Sequence, residues 1–283
     1  MPNEKVFIAD FYYPEMVGGA ELNDLSLISR LDTQKNISVE KLKSAQVTLD
    51  MIKERNNSDF IISNFVLLSK DVLNYLANNC SYIIYEHDHK YLMKRNPIFY
   101  KNFLAPKDHL ANIDFYKNAQ SIVCLTKLAE DVLRANTGLE NVTRIGSSVW
   151  LDEDLDYINQ IRKSEKKDCY AIMNSDNPIK KRFDCIRYCE KNNLKYELIS
   201  DRNHKNFLEK LSHYKGLIFM TGHLETCCRI VVEAKMLGLE VITQKKLIGA
   251  ASEDSFSLNG KELVEEMRKV SKNSVNLFCK EPV

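Results

Sequence analysis

The sequence predicts an α/β protein built from two Rossmann-like, doubly wound domains that face each other across a cleft. Short apolar runs alternate with segments of helical apolar spacing along the whole chain. Of the 283 residues, 44% are hydrophobic and only nine are glycine, which is enough for one large core or two modest ones. There is no repeat of fixed period and no low-complexity tract.

Nine apolar runs are predicted to be strands. In chain order they are KVFIAD, DFIISN, SYIIYE, QSIVCLT, NVTRIG, DCYAIMN, LKYELIS, GLIFMT and LEVITQ. Helical segments between them, such as AELNDLSLISRL (20–31), indicate crossover helices and therefore parallel sheets covered on both faces. A charged helix at 151–168 separates the first five runs from the last four. We therefore predict domains at 1–150 and 151–283, and the C-terminal tail can pack back on the first.

Charge and cysteine usage argue against several classes of protein. Forty basic and 39 acidic residues leave a formal charge of +1, so net charge gives no support to general nucleic-acid binding. The sequence has no signal-peptide pattern and no run of 18 apolar residues, so we expect a cytoplasmic protein without a transmembrane segment. Most of the eight cysteines lie in apolar patterns and none forms a C-x-x-C pair, which predicts reduced thiols and no zinc ribbon.

A glycine pair follows the first predicted strand. Gly18 and Gly19 end a loop and precede a helix that we expect to begin at Ala20. Adjacent glycines let the backbone approach a ligand, and the helix start offers free N–H groups to an anion. A plain strand-to-helix turn explains the pair equally well on its own, and the G-x-G-x-x-G fingerprint of dinucleotide sites is missing.

Four polar residues, Glu86 to His89, follow the third predicted strand, where a cleft is expected. They fit a metal site, recognition of a sugar or phosphate, or a solvated loop. A metal is the least favoured because no further His or Cys recurs nearby. Hydrogen bonding to a polar ligand is favoured, with the solvated loop close behind.

A basic cluster follows the first strand of the second half. Lys180, Lys181 and Arg182 lie at a loop-to-helix junction, where they could neutralise a diphosphate together with helix-end amides. A solvated basic turn is about as good an explanation of the cluster taken alone.

Two glutamates lie eight positions apart in GHLETCCRIVVEAKMLGLEVIT (222–243). We predict a helix from Thr226 to Leu237, with Glu225 at its N-cap, where free amides favour a carboxylate. Glu233 then lies about 12 Å along the axis among apolar neighbours. A capping glutamate and an unrelated surface glutamate would also account for the pair.

Taken together, these segments resemble the retaining GT-B glycosyltransferases of the family 4 type, also called glycosyl transferases group 1. The 222–243 stretch is similar to the family's E-seven-residues-E pattern, and NPIKKRFD (177–184) resembles the segment with the donor-phosphate lysine. GGAE and EHDH resemble the glycine loop and the histidine-bearing loop. The chain departs from the family where an arginine usually precedes the lysine, because Asn174 or Ser175 occupies that place.

The resemblance implies roles for the second half of the chain. Glu233 would bind ribose hydroxyls and Glu225 the sugar hydroxyls. Lys181, assisted by Lys180, would stabilise the charge that grows on the departing diphosphate. Arg182 and the helix start at Thr226 would complete the donor site.

In the first half, the resemblance implies that the amides of Gly18 and Gly19 contact the diphosphate. His89, in preference to His87, would contact the sugar, and Asp88 would orient the histidine. Transfer would retain the anomeric configuration without a metal, by front-face attack.

The expected activity is that of a hexosyl or pentosyl transferase without a cofactor, using a UDP- or GDP-sugar as co-substrate. The default acceptor is a glycan or a lipid-linked glycan, and peripheral membrane contact stays open. A hydroxylated DNA base would also be compatible as acceptor, because YLMKRNPIFYKNF (91–103) interleaves basic and aromatic residues that could stack on bases. A buried tyrosine-rich loop explains this stretch equally well. A nucleotide-sugar epimerase or a catalytically silent GT-B binding protein would share the same donor-site motifs.

Overall fold

A computed structural model describes residues 3–35 and 37–279 of the chain. It contains ten strands in two sheets, and every strand pair is parallel. The strands of the first sheet are β1 (Asn3–Ala9), β2 (Ile37–Lys43), β3 (Asp59–Ile62), β4 (Ser81–Glu86), β5 (Ser121–Cys124) and β6 (Val142–Arg144). Those of the second sheet are β7 (Lys167–Met173), β8 (Tyr196–Ile199), β9 (Tyr214–Phe219) and β10 (Glu240–Thr243).

Helices follow most strands and run back along the sheets. They are α1 (Gly19–Asp32), α2 (Leu49–Glu54), α3 (Lys70–Asn79), α4 (Ile113–Lys117), α5 (Lys127–Thr137), α6 (Asp152–Ile161), α7 (Arg182–Lys191), α8 (His204–Ser212), α9 (Arg229–Met236), α10 (Gly260–Ser274) and α11 (Asn276–Cys279). None of these described helices is long and apolar enough to cross a bilayer.

The first sheet has the strand order β2-β1-β3-β4-β5-β6 and is covered on both faces. Successive residues of β1 alternate between two apolar clusters: Val6 and Ile8 lie in one, and Phe7 and Ala9 in the other. Such alternation is the consequence of the two-residue repeat of a strand. It explains why the central strands read as continuous apolar runs.

The second sheet, ordered β10-β9-β7-β8, shares a core with the first. Ala171 and Leu217 belong to the same apolar cluster as Phe7, while Ile172 and Ile218 face a small separate cluster under α7. The C-terminal helices also reach the first sheet: the α11 ring of Phe278 contacts Tyr85 edge-on, with ring centroids 5.1 Å apart. The domain boundary near residue 150 stays a prediction.

The expected α/β class with parallel sheets is confirmed, but the sequence patterns missed strand β2. The strand ISVEKLK lies at the edge of the first sheet, paired only with β1. None of the residues of β2 is fully buried, so polar side chains are tolerated along the strand. An apolar-run criterion therefore overlooks it.

Helix α9 begins later than predicted. The predicted start is Thr226, but Glu225 forms an isolated parallel bridge with Ile248, and the Gly249 amide donates to the Glu225 carbonyl over 2.8 Å. Thr226 and Cys227 lie in a bend. Cys228 then adopts a left-handed φ of 71°, and the helix starts at Arg229. Glu225 is therefore not the N-cap. The charged helix predicted at 151–168 is also shorter, at Asp152–Ile161.

Candidate functional site

A cavity of about 620 Å³ lies where the carboxyl ends of the two sheets meet. Loops after β1, β3, β4 and β5 form one wall, and loops after β7, β8 and β9 form the other. In doubly wound sheets this edge is the usual place for a ligand. The predicted site residues that line the cavity are Gly18, Gly19, His87, Asp88, Lys180, Glu225, Thr226 and Glu233.

The glycine loop lies against the start of α9. Gly18 is the N-cap of α1, so the helix begins at Gly19, one residue before the predicted start. A Cβ added at Gly18 would collide with the carboxylate of Glu21, which lies over the N-cap residue. A Cβ at Gly19 would lie 3.9 Å from Cβ of Arg229. The loop amides and α9 are thus close neighbours.

His87 lines the cavity and is held from behind by a carboxylate. Its Nε2 lies 3.1 Å from Oδ1 of Asp24, which in turn accepts a hydrogen bond from Ser63. The His87 carbonyl accepts from the hydroxyl of Thr226 over 2.8 Å. This chain of contacts fixes the orientation of the imidazole ring and joins it to the loop after β9.

Asp88 is a carboxylate of the cavity wall. Burial raises its pKa, but the charges of Lys90, His87 and Arg95 outweigh burial and hold the pKa below its usual value. Beneath it, Glu86 is buried and bonded to Lys90 and Tyr116. The wall contributed by β4 therefore carries an ionised acid.

His89 lies behind the cavity wall, which differs from the expected sugar contact. The residue is buried, and its Nε2 lies 3.0 Å from the Leu224 carbonyl, to which it must donate. Its Nδ1 then accepts from the hydroxyl of Tyr91 over 2.9 Å. Both nitrogens are used within the protein, so His89 joins the β4 loop to the β9 loop, and of the two histidines His87 is the one that lines the cavity.

Burial of His89 predicts a pH dependence of stability, because burial lowers the pKa of its imidazole to about 4. The unfolded chain binds this proton near pH 6.5, so stability should fall as the pH falls from 6.5 to 4. We expect about 3 kcal/mol of the unfolding free energy to be lost over this range. Urea unfolding of the wild type and of His89→Gln at pH 7 and pH 4 measures this contribution. Equal losses in the two proteins would contradict it.

Lys180 and Glu225 form the central ion pair of the cavity. Nζ of Lys180 lies 3.1 Å from Oε1 of Glu225, which also accepts from the hydroxyl of Thr221 over 3.1 Å. Burial lowers the pKa of Lys180, but Glu225 outweighs burial and raises it above its usual value. The ammonium group is therefore charged at neutral pH.

Lys181 and Arg182 lie outside the cavity lining, contrary to the expectation for both. Lys181 has a left-handed φ of 46°, which turns its side chain away from that of Lys180 and over Gly222: a Cβ there would lie 2.8 Å from Cε of Lys181. Arg182 is bonded to Asn174 and Asp176 on the protein surface. Of the three basic residues, only Lys180 reaches the site.

Arg229, the first residue of α9, is a cavity cation that the sequence patterns missed. It is buried, and its Nη1 donates to the Val149 carbonyl over 2.7 Å. Its Nε donates to Oε1 of Glu233 over 2.8 Å, and the guanidinium stacks 4.6 Å from the ring centre of Trp150. The available signal was the R-x-x-x-E spacing, which places both side chains on one helix face.

Glu233 accepts hydrogen bonds from three protein side chains, which the sequence did not indicate. Besides Arg229 it accepts from Nε1 of Trp150 over 3.3 Å, and Nε2 of His204 lies 3.1 and 3.2 Å from its two oxygens. Burial raises the pKa of Glu233, but His204 and Arg229 outweigh it and lower the pKa to about 2. His204, at the start of α8, is a second cavity residue that sequence patterns did not indicate.

The lysine and arginine side chains of the cavity lie on one wall. The wall from the first sheet carries Glu21 and Asp88 and neither lysine nor arginine. The wall from the second sheet carries Lys180 and Arg229, which are paired with Glu225 and Glu233, and also Asp201. Asn64 adds an amide to the first wall; its oxygen accepts from the buried Lys90, so its NH₂ group remains for other partners. The arrangement suits a ligand with an anionic part at α9 and a neutral, hydroxylated part at β4.

Within the described residues, no group of three or more His, Cys, Asp or Glu side chains is arranged to hold a metal ion. The eight cysteines are all free, and Cys227 and Cys228 line the cavity.

Comparison with solved structures identifies the fold. No protein-family model and no curated protein sequence matches the chain. The catalytic domain of starch synthase IV from Arabidopsis thaliana, bound to ADP and acarbose, is similar with a TM-score of 0.56 and 9% identity, over 99% of this chain and 93% of that one. Anabaena Alr3699/HepE in complex with UDP has a TM-score of 0.53 and 12% identity, over 97% and 94%.

An α-glucosyltransferase (AGT) in complex with UDP is similar as well, with a TM-score of 0.50 and 10% identity over 96% of this chain and 93% of that one. These neighbours are GT-B glycosyltransferases. This chain therefore has their α/β fold with parallel sheets.

Proposed function

We propose that this protein is a glycosyltransferase that moves a sugar from a nucleotide-sugar donor to an acceptor hydroxyl. The observation that carries the proposal is the placement of the cavity cations: Lys180 and Arg229, each held by a glutamate, lie together beside the start of α9, and the facing wall carries neither lysine nor arginine. The fold supports the same function, since the similar structures hold UDP or ADP.

The donor diphosphate would lie between Lys180 and Arg229, against the N-terminal end of α9. The amides of Gly18 and Gly19 would add donors from the opposite wall. Leaving-group departure places negative charge on the diphosphate, and fixed cations stabilise that charge without reorganising. We assign the phosphate role to Lys180 rather than Lys181, and to Arg229 rather than Arg182, because only the former of each pair lines the cavity.

The two glutamates would grip opposite ends of the donor. Glu225, which accepts a hydrogen bond from Lys180, would also accept hydrogen bonds from the sugar hydroxyls. Glu233 would accept from a ribose hydroxyl; a carboxylate has about four acceptor positions, and three donors already occupy it. Ribose would therefore take the remaining position or displace His204.

The acceptor would approach the wall of the first sheet. His87, oriented by Asp24, would contact the transferred sugar, and Asp88 would accept from an acceptor hydroxyl. We propose transfer with retention by front-face attack, in the manner of family 4 enzymes, with the diphosphate itself taking the acceptor proton. Neither a dedicated protein nucleophile nor a metal is part of this mechanism.

Residues 1–150 would form the acceptor-side domain and residues 151–283 the donor domain. UDP- and GDP-sugars are the proposed donors, and a glycan or lipid-linked glycan is the proposed acceptor, for a protein working in the cytoplasm.

Product analysis tests the proposal. The chain is incubated with UDP- and GDP-sugars, with and without a panel of glycan acceptors, and products are identified by mass spectrometry. We expect transfer with an acceptor and slow donor hydrolysis without one. An isomerised nucleotide sugar as the only product would instead identify an epimerase, and an unchanged donor throughout would identify a binding protein.

A further inference from the structure

The loops at the carboxyl edge of the first sheet expose an unusual amount of apolar surface. In the described residues, ten large hydrophobic side chains are exposed, and seven of them lie on three loops that follow β1, β3 and β4. These strands are neighbours in the sheet. The loops after β1 and β3 also touch, since Asp10 accepts from the amides of Val66 and Leu67. The seven side chains are Met16, Val17, Val66, Leu67, Met93, Phe99 and Leu104.

The loop after β4 adds a concentrated positive charge. Residues 93–107 contain four cations, Lys94, Arg95, Lys101 and Lys107, and no acid. All four are exposed. Because the whole chain has a formal charge of only +1, the remaining residues together carry −3. This segment is therefore strongly positive, whereas the rest of the chain is negative overall.

The loop has a fixed shape that groups these side chains. Leu92 bridges Leu110, and the Met93 amide donates to the His109 carbonyl, so the two ends of the loop run side by side. Nζ of Lys94 lies 5.7 Å from the ring centre of Phe99. Positive φ angles at Asn102 and Phe103 turn the chain between Phe99 and Leu104. The loop also borders the cavity, because the Arg95 carbonyl lies 2.8 Å from Nε2 of His223, a cavity-lining residue.

We propose that these three loops dock on an anionic phospholipid bilayer. Exposed cations attract an anionic surface, and apolar side chains between them enter the boundary of the acyl chains. A nucleic acid is disfavoured because stacking needs several exposed rings, whereas Phe99 is the single exposed aromatic residue of the loop. Docking would place the cavity mouth at the membrane, where a lipid-linked acceptor is presented. The proposal does not depend on the glycosyltransferase assignment.

Co-sedimentation of the full chain with vesicles tests the docking surface. We expect the protein to sediment with an equal mixture of phosphatidylcholine and phosphatidylglycerol, and to stay in solution with phosphatidylcholine alone. A variant with Lys94, Lys101 and Lys107 changed to serine should bind about a hundredfold more weakly, at about fivefold per cation. Changing Met93, Phe99 and Leu104 to serine should also reduce sedimentation.

The matched control removes the same charge elsewhere. Lys163, Lys191 and Lys195 are exposed on other parts of the chain, and their change to serine should leave sedimentation intact. The proposal is overturned by any of three results: no sedimentation of the wild type with anionic vesicles, an equal loss in the control, or tighter binding to a single-stranded oligonucleotide than to the vesicles. Nucleotide-induced thermal shifts of the same variants report separately on the proposed donor site.

Discussion

Replacing Lys180 with methionine is expected to lower kcat/KM for sugar transfer about 10²–10³-fold, the usual cost of losing one fixed donor to a developing anion. In the wild type, the Lys180 ammonium group lies 5.4 Å from the ring centre of Phe219. Methionine keeps the apolar part of the side chain and removes the charge. The measurement is steady-state transfer from the nucleotide sugar that the product analysis identifies.

The neighbouring lysine is the matched control for this prediction. Lys181→Met removes the same charge one residue away, but its side chain lies over Gly222 outside the cavity lining. Transfer by Lys181→Met should stay within about threefold of the wild type, as expected for a charge outside the cavity. A large loss in Lys181→Met with little change in Lys180→Met would reverse the assignment of the two lysines.

Arg229→Met is expected to lower the free energy of unfolding by about 3–5 kcal/mol, because it leaves a buried carboxylate without its closest cation. Glu233 would retain only Trp150 and His204 as partners. Urea unfolding at pH 7 measures the loss. The same variant should also bind a nucleoside diphosphate at least tenfold more weakly, if Arg229 holds the phosphates.

A double variant separates the two roles of Arg229. Glu233→Gln removes the carboxylate that Arg229 neutralises, so the Arg229→Met/Glu233→Gln protein should be more stable than the sum of the single changes predicts, by about 0.5–3 kcal/mol. Nucleotide affinity should stay low, because the cation is still missing. Recovery of affinity together with stability would show that Arg229 is only structural.

Much of the fold could be predicted from the sequence because local patterns and tertiary burial agree. The central strands are apolar on both faces, and the glycine pair marks the start of α1 to within one residue. Edge strand β2 was missed because its burial is partial. Helix α9 was extended too far because nothing local shows that Glu225–Cys227 pairs with a distant segment near Ile248.

The site was predicted less completely, for reasons of side-chain direction. Lys180 and Lys181 are adjacent and chemically identical, and only the backbone turn at Lys181 decides which one enters the cavity. Likewise, His87 lines the cavity and His89 does not, because the positive φ of 55° at His89 gives its side chain a different direction. The contact of His204 in α8 with Glu233 in α9 joins two residues 29 positions apart, which no spacing rule describes.

Calorimetric titration of UDP and GDP tests the central claim most directly, namely that a diphosphate binds between Lys180 and the start of α9. We expect one nucleoside diphosphate per chain, binding about tenfold or more weakly to Lys180→Met and with unchanged affinity to Lys181→Met. If neither nucleotide binds, or if both variants bind the nucleotide as tightly as the wild type does, the proposed donor site is wrong.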